Sequence, residues 1–279
     1  MRLKSLWQWA TSFSKAALVG ACLALLCASG TARAGDGVDQ AAAKAALLKA
    51  YPGLFTISGN VLTWHDGTKM IWDDGKQRTP AQLNESPDIE DMFDYVYPPA
   101  SARALTPPVD FDPGRIRYKP FFEKLYGASA QVVSRQLVTV KWLPKFGNTA
   151  VRVTSRFGIA QRLGRISEGL QVMSPDMRRF GLRPGRGFNW RLVAGTQHLS
   201  MHAFGAAVDI NVGYADYWRW HKSAGGRIPY RNRIPMAIVA LFEKYGFIWG
   251  GRWYHYDTMH FEYRPELLLY RQRQPVAGG

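Results

Sequence analysis

Ser200-Met201-His202-Ala203-Phe204-Gly205-Ala206-Ala207-Val208-Asp209 is the stretch on which the reading of this chain turns. Val208, Ile210 and Val212 alternate with Ala207, Asp209 and Asn211, which predicts a strand over 206–212. His202 falls in the turn before it, and Asp209 falls on it. Gly205 and the alanines leave little side-chain bulk between them, so the path can return His202 to the side of Asp209. A second cluster, Asp257-Thr258-Met259-His260-Phe261-Glu262, lies downstream. A strand is expected over 258–263, with Asp257 at its mouth and His260 three residues on.

Two imidazoles and one carboxylate suit a hydrolytic zinc site, where three protein ligands leave a fourth position open. Such a metal polarises a carbonyl and lowers the pKa of water. A carboxylate outside the ligand set takes and passes on the proton. His202, Asp209 and His260 are the candidate ligands, for one Zn2+ ion, and Asp257 or Glu262 the candidate base. Spacing alone leaves two readings open: a metal centre, or histidines satisfied within a core. Alternation puts Glu262 on the face of His260, where it can be the imidazole's partner. His255 reads as a pocket residue, and His198 and His221 as loop residues. His65 shows no partner in the sequence.

Outward from these clusters, Ile159, Leu163, Ile166 and Leu170 recur at helical spacing within 158–173. Helices are also expected over 120–126 and 234–245, the latter with Pro235 near its first turn and Gly246 just past its end. A strand is expected over 150–154. Helices and strands mix without regular β-α-β alternation, which indicates an α+β fold. Tyr214, Tyr217, Trp218, Trp220 and Tyr230 make an aromatic-rich loop, either a substrate lid or a satellite core. Arg178, Arg179, Arg183 and Arg186 form a basic loop that reads as solvated.

The first half is organised differently. Asp39 is a candidate N-cap for a helix running to Ala50. Short β runs over 54–57, 61–64 and 70–72 are punctuated by Ser58-Gly59-Asn60, Asp66-Gly67 and Asp74-Gly75, which predicts hairpins. Pro98, Pro99, Pro107, Pro108 and Pro113 mark 97–114 as an extended linker. At the N-terminus Arg2, Lys4 and Lys15 precede or flank an apolar stretch over 16–26, followed by Ala32-Arg33-Ala34, the pattern of a secretory signal. The expected division is therefore 1–34 signal peptide, 35–96 N-terminal subdomain, 97–114 linker and 115–279 main domain. A retained anchor and a lipoprotein with Cys22 lipidated are the weaker readings. No stable membrane insertion is expected after cleavage, and the location is expected to be periplasmic or secreted.

Cys22 and Cys27 both lie in the segment expected to be removed, which excludes thiol catalysis and cysteine-ligated metal in the mature chain. That segment holds four basic residues and no acidic one, so the net charge of +15 falls to +11. A basic exported protein is drawn to anionic polymers. An exported address argues against nucleic acid as the partner.

Together the clusters resemble the zinc D-alanyl-D-alanine peptidases of the VanX/VanY type, and more closely the L-alanyl-D-glutamate endopeptidases of phage endolysins. The shared pattern S-x-H-x-x-G-x-A-x-D, then an acidic residue, two spacers and His, is met by Ser200, His202, Gly205, Ala207, Asp209, Asp257 and His260. Trp249-Gly250-Gly251, Trp253 and His260-Phe261-Glu262 match the endolysin-like branch. The resemblance covers roughly 189–265. It implies a small zinc-peptidase domain with a central antiparallel sheet and flanking helices. It further implies His202, Asp209 and His260 as zinc ligands and Asp257 as general base. Arg191 best matches the expected oxyanion-stabilising arginine, with Arg156 as its rival. Ser200, Trp253 and Tyr217 are expected at the substrate. The implied partners are peptidoglycan stem peptides, cut at D-Ala-D-Ala or at L-Ala-D-Glu. The competing reading is a non-catalytic wall-binding module of the same fold.

Overall fold

A computed structural model describes residues 37–102, 106–223 and 225–272. The expected signal segment lies outside these residues. Helix α1 (Gln40–Ala50) starts where Asp39 accepts a hydrogen bond from the Ala42 N–H at 2.9 Å, satisfying a donor the first turn leaves open. Its Ala42, Ala43, Ala46 and Leu47 are buried. Strands β1 (Phe55–Ser58), β2 (Val61–Trp64) and β3 (Lys69–Ile71) follow as an antiparallel meander in the order β1-β2-β3. Ser58 pairs with Val61, and Gly59 takes the positive φ that this two-residue turn needs. Helix α2 (Pro80–Glu85) opens with a capping box between Thr79 and Gln82.

The proline-rich segment then runs over the rest of the molecule in fixed contacts. The Tyr97 hydroxyl donates to Glu243 at 3.1 Å and accepts from the Trp249 N–H at 2.9 Å. The Pro113 carbonyl accepts from the Trp253 indole at 2.6 Å, and the Gly114 carbonyl from Arg264 at 2.7 Å. Helices α3 (Lys119–Tyr126) and α4 (Ala130–Ser134) lead into a two-stranded ribbon, β4 (Leu137–Trp142) and β5 (Thr149–Thr154). Helix α5 (Ile159–Val172) packs on that ribbon with Ile159, Leu163, Ile166 and Leu170 buried, as the helical spacing predicts. The short helix α6 (Pro175–Arg178) ends in the basic loop.

The second sheet positions the chemistry. It consists of β6 (Ala207–Asp209), β7 (Phe247–Trp249) and β8 (His260–Tyr263), in the order β6-β8-β7 and antiparallel throughout. Helix α7 (Met236–Lys244) precedes β7, and helix α8 (Pro265–Arg271) follows β8 and packs against α1. These small sheets and flanking helices make an α+β fold. The larger of two hydrophobic clusters among the described residues runs from Ala42 and Trp72 through Phe121 and Leu163 to Phe261 and Leu268. All the described residues fall within one compact unit.

Two strands are shorter than alternation suggests. β6 ends at Asp209, because the Asn211 side chain accepts from the Gly213 N–H and turns the chain into a 3-10 turn. Val212 is therefore exposed and does not share a face with Val208. β8 begins only at His260, because Thr258 is tied to Asp216: its hydroxyl donates to the Asp216 carbonyl, and its N–H reaches the same carbonyl.

Candidate metal centre and active site

The register of the second sheet places Asp209 directly opposite His260. His202 arrives by the 3-10 turn Met201–Phe204, which the Ser200 side chain caps. Gly205 closes that turn at φ +66, where a β-carbon would also lie 2.9 Å from the Thr154 nitrogen. The result is a tight cluster. His202 Nε2 lies 3.1 Å from Asp209 Oδ1 and 3.1 Å from His260 Nδ1, and His260 Nδ1 lies 3.3 Å from Asp209 Oδ1.

The outer nitrogens fix the tautomers. His202 Nδ1 faces the Gly187 carbonyl at 2.6 Å, and His260 Nε2 faces the Glu262 carboxylate at 2.8 Å. Neither partner has a proton to give, so each outer nitrogen carries one. The inner nitrogens then present lone pairs to each other and to a carboxylate oxygen. Three acceptors converge only when a proton or a cation lies among them. Ligand atoms about 2.1 Å from one tetrahedral ion sit about 3.4 Å apart, close to the separations seen. His202, Asp209 and His260 thus fit a metal ion, and the chain's own backbone and Glu262 orient both rings as metal-binding imidazoles require.

The electrostatics agree. Burial pushes the Asp209 carboxyl up, but His202 and His260 outweigh it and hold it far below the ordinary range. Burial lowers the His260 imidazole, but Asp209 and Glu262 lift it to about 9. The two carboxylates demand positive charge on or between the rings. Glu262 is wholly buried and held ionised against desolvation by Arg117, then His260 and Arg264. Arg117 binds both of its carboxylate oxygens, and Arg264 adds a contact at 3.4 Å.

A cavity of about 370 Å³ opens over this cluster. Asp257 lines it, held in place by a hydrogen bond from its N–H to the Gly250 carbonyl at 3.0 Å. A β-carbon on Gly250 would lie 2.6 Å from the Asp257 carbonyl oxygen, so glycine is needed for this approach. Burial and the charge of Asp209 raise the Asp257 carboxyl to about 6, with the two imidazoles and Arg115 pulling the other way. Its Oδ1 is buried with no hydrogen-bond partner. A half-buried carboxylate raised toward neutrality, one oxygen unengaged, can take a proton from water and release it again.

The other expected residues divide. Ser200, Trp253, Tyr217 and Arg191 all line the cavity. Tyr217 bridges backbone to backbone with Asp257. Arg191 is exposed and, among the described residues, its side chain donates only to the neighbouring Leu192 carbonyl, which leaves its guanidinium able to turn toward a ligand. Arg156 does not line the cavity; it lies over the Phe157 ring at 5.3 Å. His255 lines it, with Nδ1 held by Asp112 at 2.7 Å. The aromatic loop is split: Tyr217, Trp218 and Trp220 face the cavity, whereas Tyr230 packs on Tyr256. In the basic loop Arg178 is no solvated charge, since it stacks on Phe146 and caps the end of α5 through the Gln171 and Met173 carbonyls.

Three site residues escape the sequence reading. Arg115 and Arg117 line the cavity and flank the Trp253 ring at 5.7 and 5.8 Å, and Asp112 holds His255 and touches Arg115 more loosely, at 3.4 Å. The signal was present: Arg115-Ile116-Arg117 alternates, with Ile116 buried between the two cations.

A family model described as D-alanyl-D-alanine carboxypeptidase matches residues 194–263. This segment belongs to that peptidase family. The family segment holds Ser200, His202, Asp209, Tyr217, Trp253, Asp257, His260 and Glu262, while Arg115, Arg117 and Arg191 come from the chain before it. No curated protein and no solved structure matches the chain.

Proposed function

We propose that the protein is an exported, zinc-dependent peptidase that hydrolyses peptidoglycan stem peptides. The observation that carries this reading is the convergence of His202 Nε2, His260 Nδ1 and Asp209 Oδ1 beside Asp257, whose Oδ1 is buried without a hydrogen-bond partner among the described residues. A bound zinc ion supplies Lewis-acid chemistry, polarising a carbonyl and making water a nucleophile at neutral pH. The rest falls to the chain. His202, Asp209 and His260 would hold the ion. Asp257 takes the proton of the attacking water and returns it to the leaving amine. Arg191 swings from Leu192 to the carbonyl oxygen as charge builds there. Trp253 and Tyr217 form walls against which the peptide lies.

Export follows from the signal pattern of the first 34 residues. No described helix is long and apolar enough to cross a membrane. The net positive charge favours an anionic polymer such as the wall over a neutral one. The test is to incubate the purified protein with defined stem peptides, with and without chelator, and to read the products by mass spectrometry. Zinc-restorable loss of one D-Ala marks a carboxypeptidase, and zinc-restorable release at L-Ala-D-Glu an endopeptidase. No cleavage of any stem by zinc-loaded protein refutes the peptidase reading.

A further inference from the structure

The catalytic cavity does not end at its own wall. A second cavity of about 160 Å³ adjoins it, and the two share Arg115, Arg117, Val193, Trp218 and His255. The second is lined beyond these by Asn84, Asp112, Thr196 and His198. A ligand held at the metal cluster can therefore continue past the arginines.

The two arginines at the junction are not equally engaged. Arg117 grips Glu262 through Nε and Nη2 and gives Nη1 to the Arg115 carbonyl. Among the described residues Arg115 has one polar side-chain contact, from Nη1 to Asp112 at 3.4 Å, beyond the best distance for a charge-assisted bond. Asp112 is already occupied by the His255 N–H at 3.0 Å and Nδ1 at 2.7 Å. The Arg115 side chain keeps 16% of its surface open, and Trp253 backs its guanidinium. A planar cation, backed by an indole, weakly paired and facing both cavities, is built to receive a carboxylate from a third party. Burial and then Arg117 lower the His198 imidazole in the second cavity, which keeps that ring neutral beside the two arginines.

We infer that Arg115 is the carboxylate-recognition residue of this site, and that the carboxylate it takes sits on a peptide residue whose chain continues into the second cavity. This rests on the peptidase reading above and narrows it. A terminal D-Ala ends at its carboxylate and has nothing to place beyond Arg115. A γ-linked glutamyl residue carries a free α-carboxylate while its side-chain amide carries the peptide onward. The junction thus fits the residue after the scissile bond of an internal L-Ala-D-Glu linkage.

The experiment uses L-alanyl-γ-D-glutamyl-L-lysine and the same peptide with its α-carboxylate converted to the amide. Binding to the zinc-loaded protein is followed by tryptophan fluorescence, and cleavage by mass spectrometry. Wild type is expected to bind the acid about 10- to 100-fold more tightly than the amide, the worth of one charge-assisted hydrogen-bonded pair. Arg115→Met is expected to bind the two alike, at the wild-type amide level. Arg115→Lys, which keeps the charge without the fork, is expected to retain part of the preference and carries the test if the methionine variant fails to fold. Equal binding of acid and amide by wild type, no binding of the acid at millimolar concentration, or wild-type discrimination by the folded Arg115 variants overturns the inference. Carboxylate-dependent binding without cleavage refutes the peptidase reading and leaves Arg115 as the carboxylate residue. Cleavage without carboxylate preference does the reverse.

Discussion

Glu262→Gln tests whether the chain's own charges hold the cluster together. The side chain is fully buried, sits 2.8 Å from His260 Nε2, and pairs with Arg117 and Arg264. Glutamine keeps the shape and an acceptor for the His260 N–H, and removes the charge. Arg264 retains Glu266. Arg117 has Glu262 as its ion-pair partner, so the variant leaves a nearly buried cation uncompensated. Breaking a buried pair from one side costs about 3–5 kcal/mol. Arg117 keeps 11% of its side chain open to water, which sets the expectation at the lower end, about 3 kcal/mol. For a chain of this size that lowers the unfolding midpoint by about 6–12 °C. Removing the partner of a metal-binding imidazole weakens zinc about 10- to 100-fold.

Zinc affinity is read by competition with a chromophoric chelator, and stability by thermal unfolding in excess chelator, so the two effects separate. The double variant Glu262→Gln with Arg117→Met sharpens the test. Removing both charges restores much of the stability, because neither is then buried alone, but it does not restore zinc affinity. Wild-type zinc affinity together with a midpoint within about 2 °C of wild type, well inside the shift expected for a buried charge, refutes the reasoning for Glu262→Gln.

Asp257→Asn is expected to bind zinc as wild type does and to lose about 10²- to 10⁴-fold in kcat, the usual worth of a general base; chelator titration and peptide turnover check the two halves. Gly251→Ala places a β-carbon 2.1 Å from the Trp249 ring and is expected to cost about 3 kcal/mol of stability in urea unfolding, the upper range for overpacking. Glu90 is raised to about 7 by burial and by the acids Asp73, Asp88, Asp91 and Asp94, so its favourable contribution is full below about pH 4.3 and lost as pH rises through 7. Glu90→Gln should therefore gain on wild type between pH 5 and pH 8 in urea midpoints, by about 1 kcal/mol after solvent screening of a half-buried group.

Much of this was legible in the sequence where local pattern decides the outcome. Asp39 caps α1, Gly59 turns the first hairpin, and the spacing from Ile159 to Leu170 buries one face of α5. The pairing of Asp209 with His260 follows from two short strands whose chemistry was visible on each. What the pattern could not show is register-free and long-range. Arg117 reaches Glu262 across 145 residues, and Tyr51 reaches Glu266 across 215. No period links such positions. Arg178 was misread for the same reason: its partners are a ring from the ribbon turn and the carbonyls ending α5. β6 is short because one asparagine side chain competes with the sheet for the backbone, an effect that alternation does not register.

Charge explains why the family segment does not make the site by itself. Residues 194–263 bring three carboxylates, Asp209, Asp257 and Glu262, to within reach of the two histidines. A metal ion held by His202, Asp209 and His260 would answer Asp209 and leave the wholly buried Glu262 unanswered. Its cations are Arg117, before the segment, and Arg264, just after it. Arg264 is in turn fixed by Glu266 and the Gly114 carbonyl, and Glu266 accepts from the Tyr51 hydroxyl on the turn ending α1. A buried carboxylate without its cations would take up a proton, and a protonated Glu262 no longer holds His260 as an anionic acceptor. The N-terminal helix, the proline-rich segment and the last helix are thus joined to the metal cluster through one line of buried charges. The chain outside the family segment supplies the counter-ions that let His260 keep its inner nitrogen free.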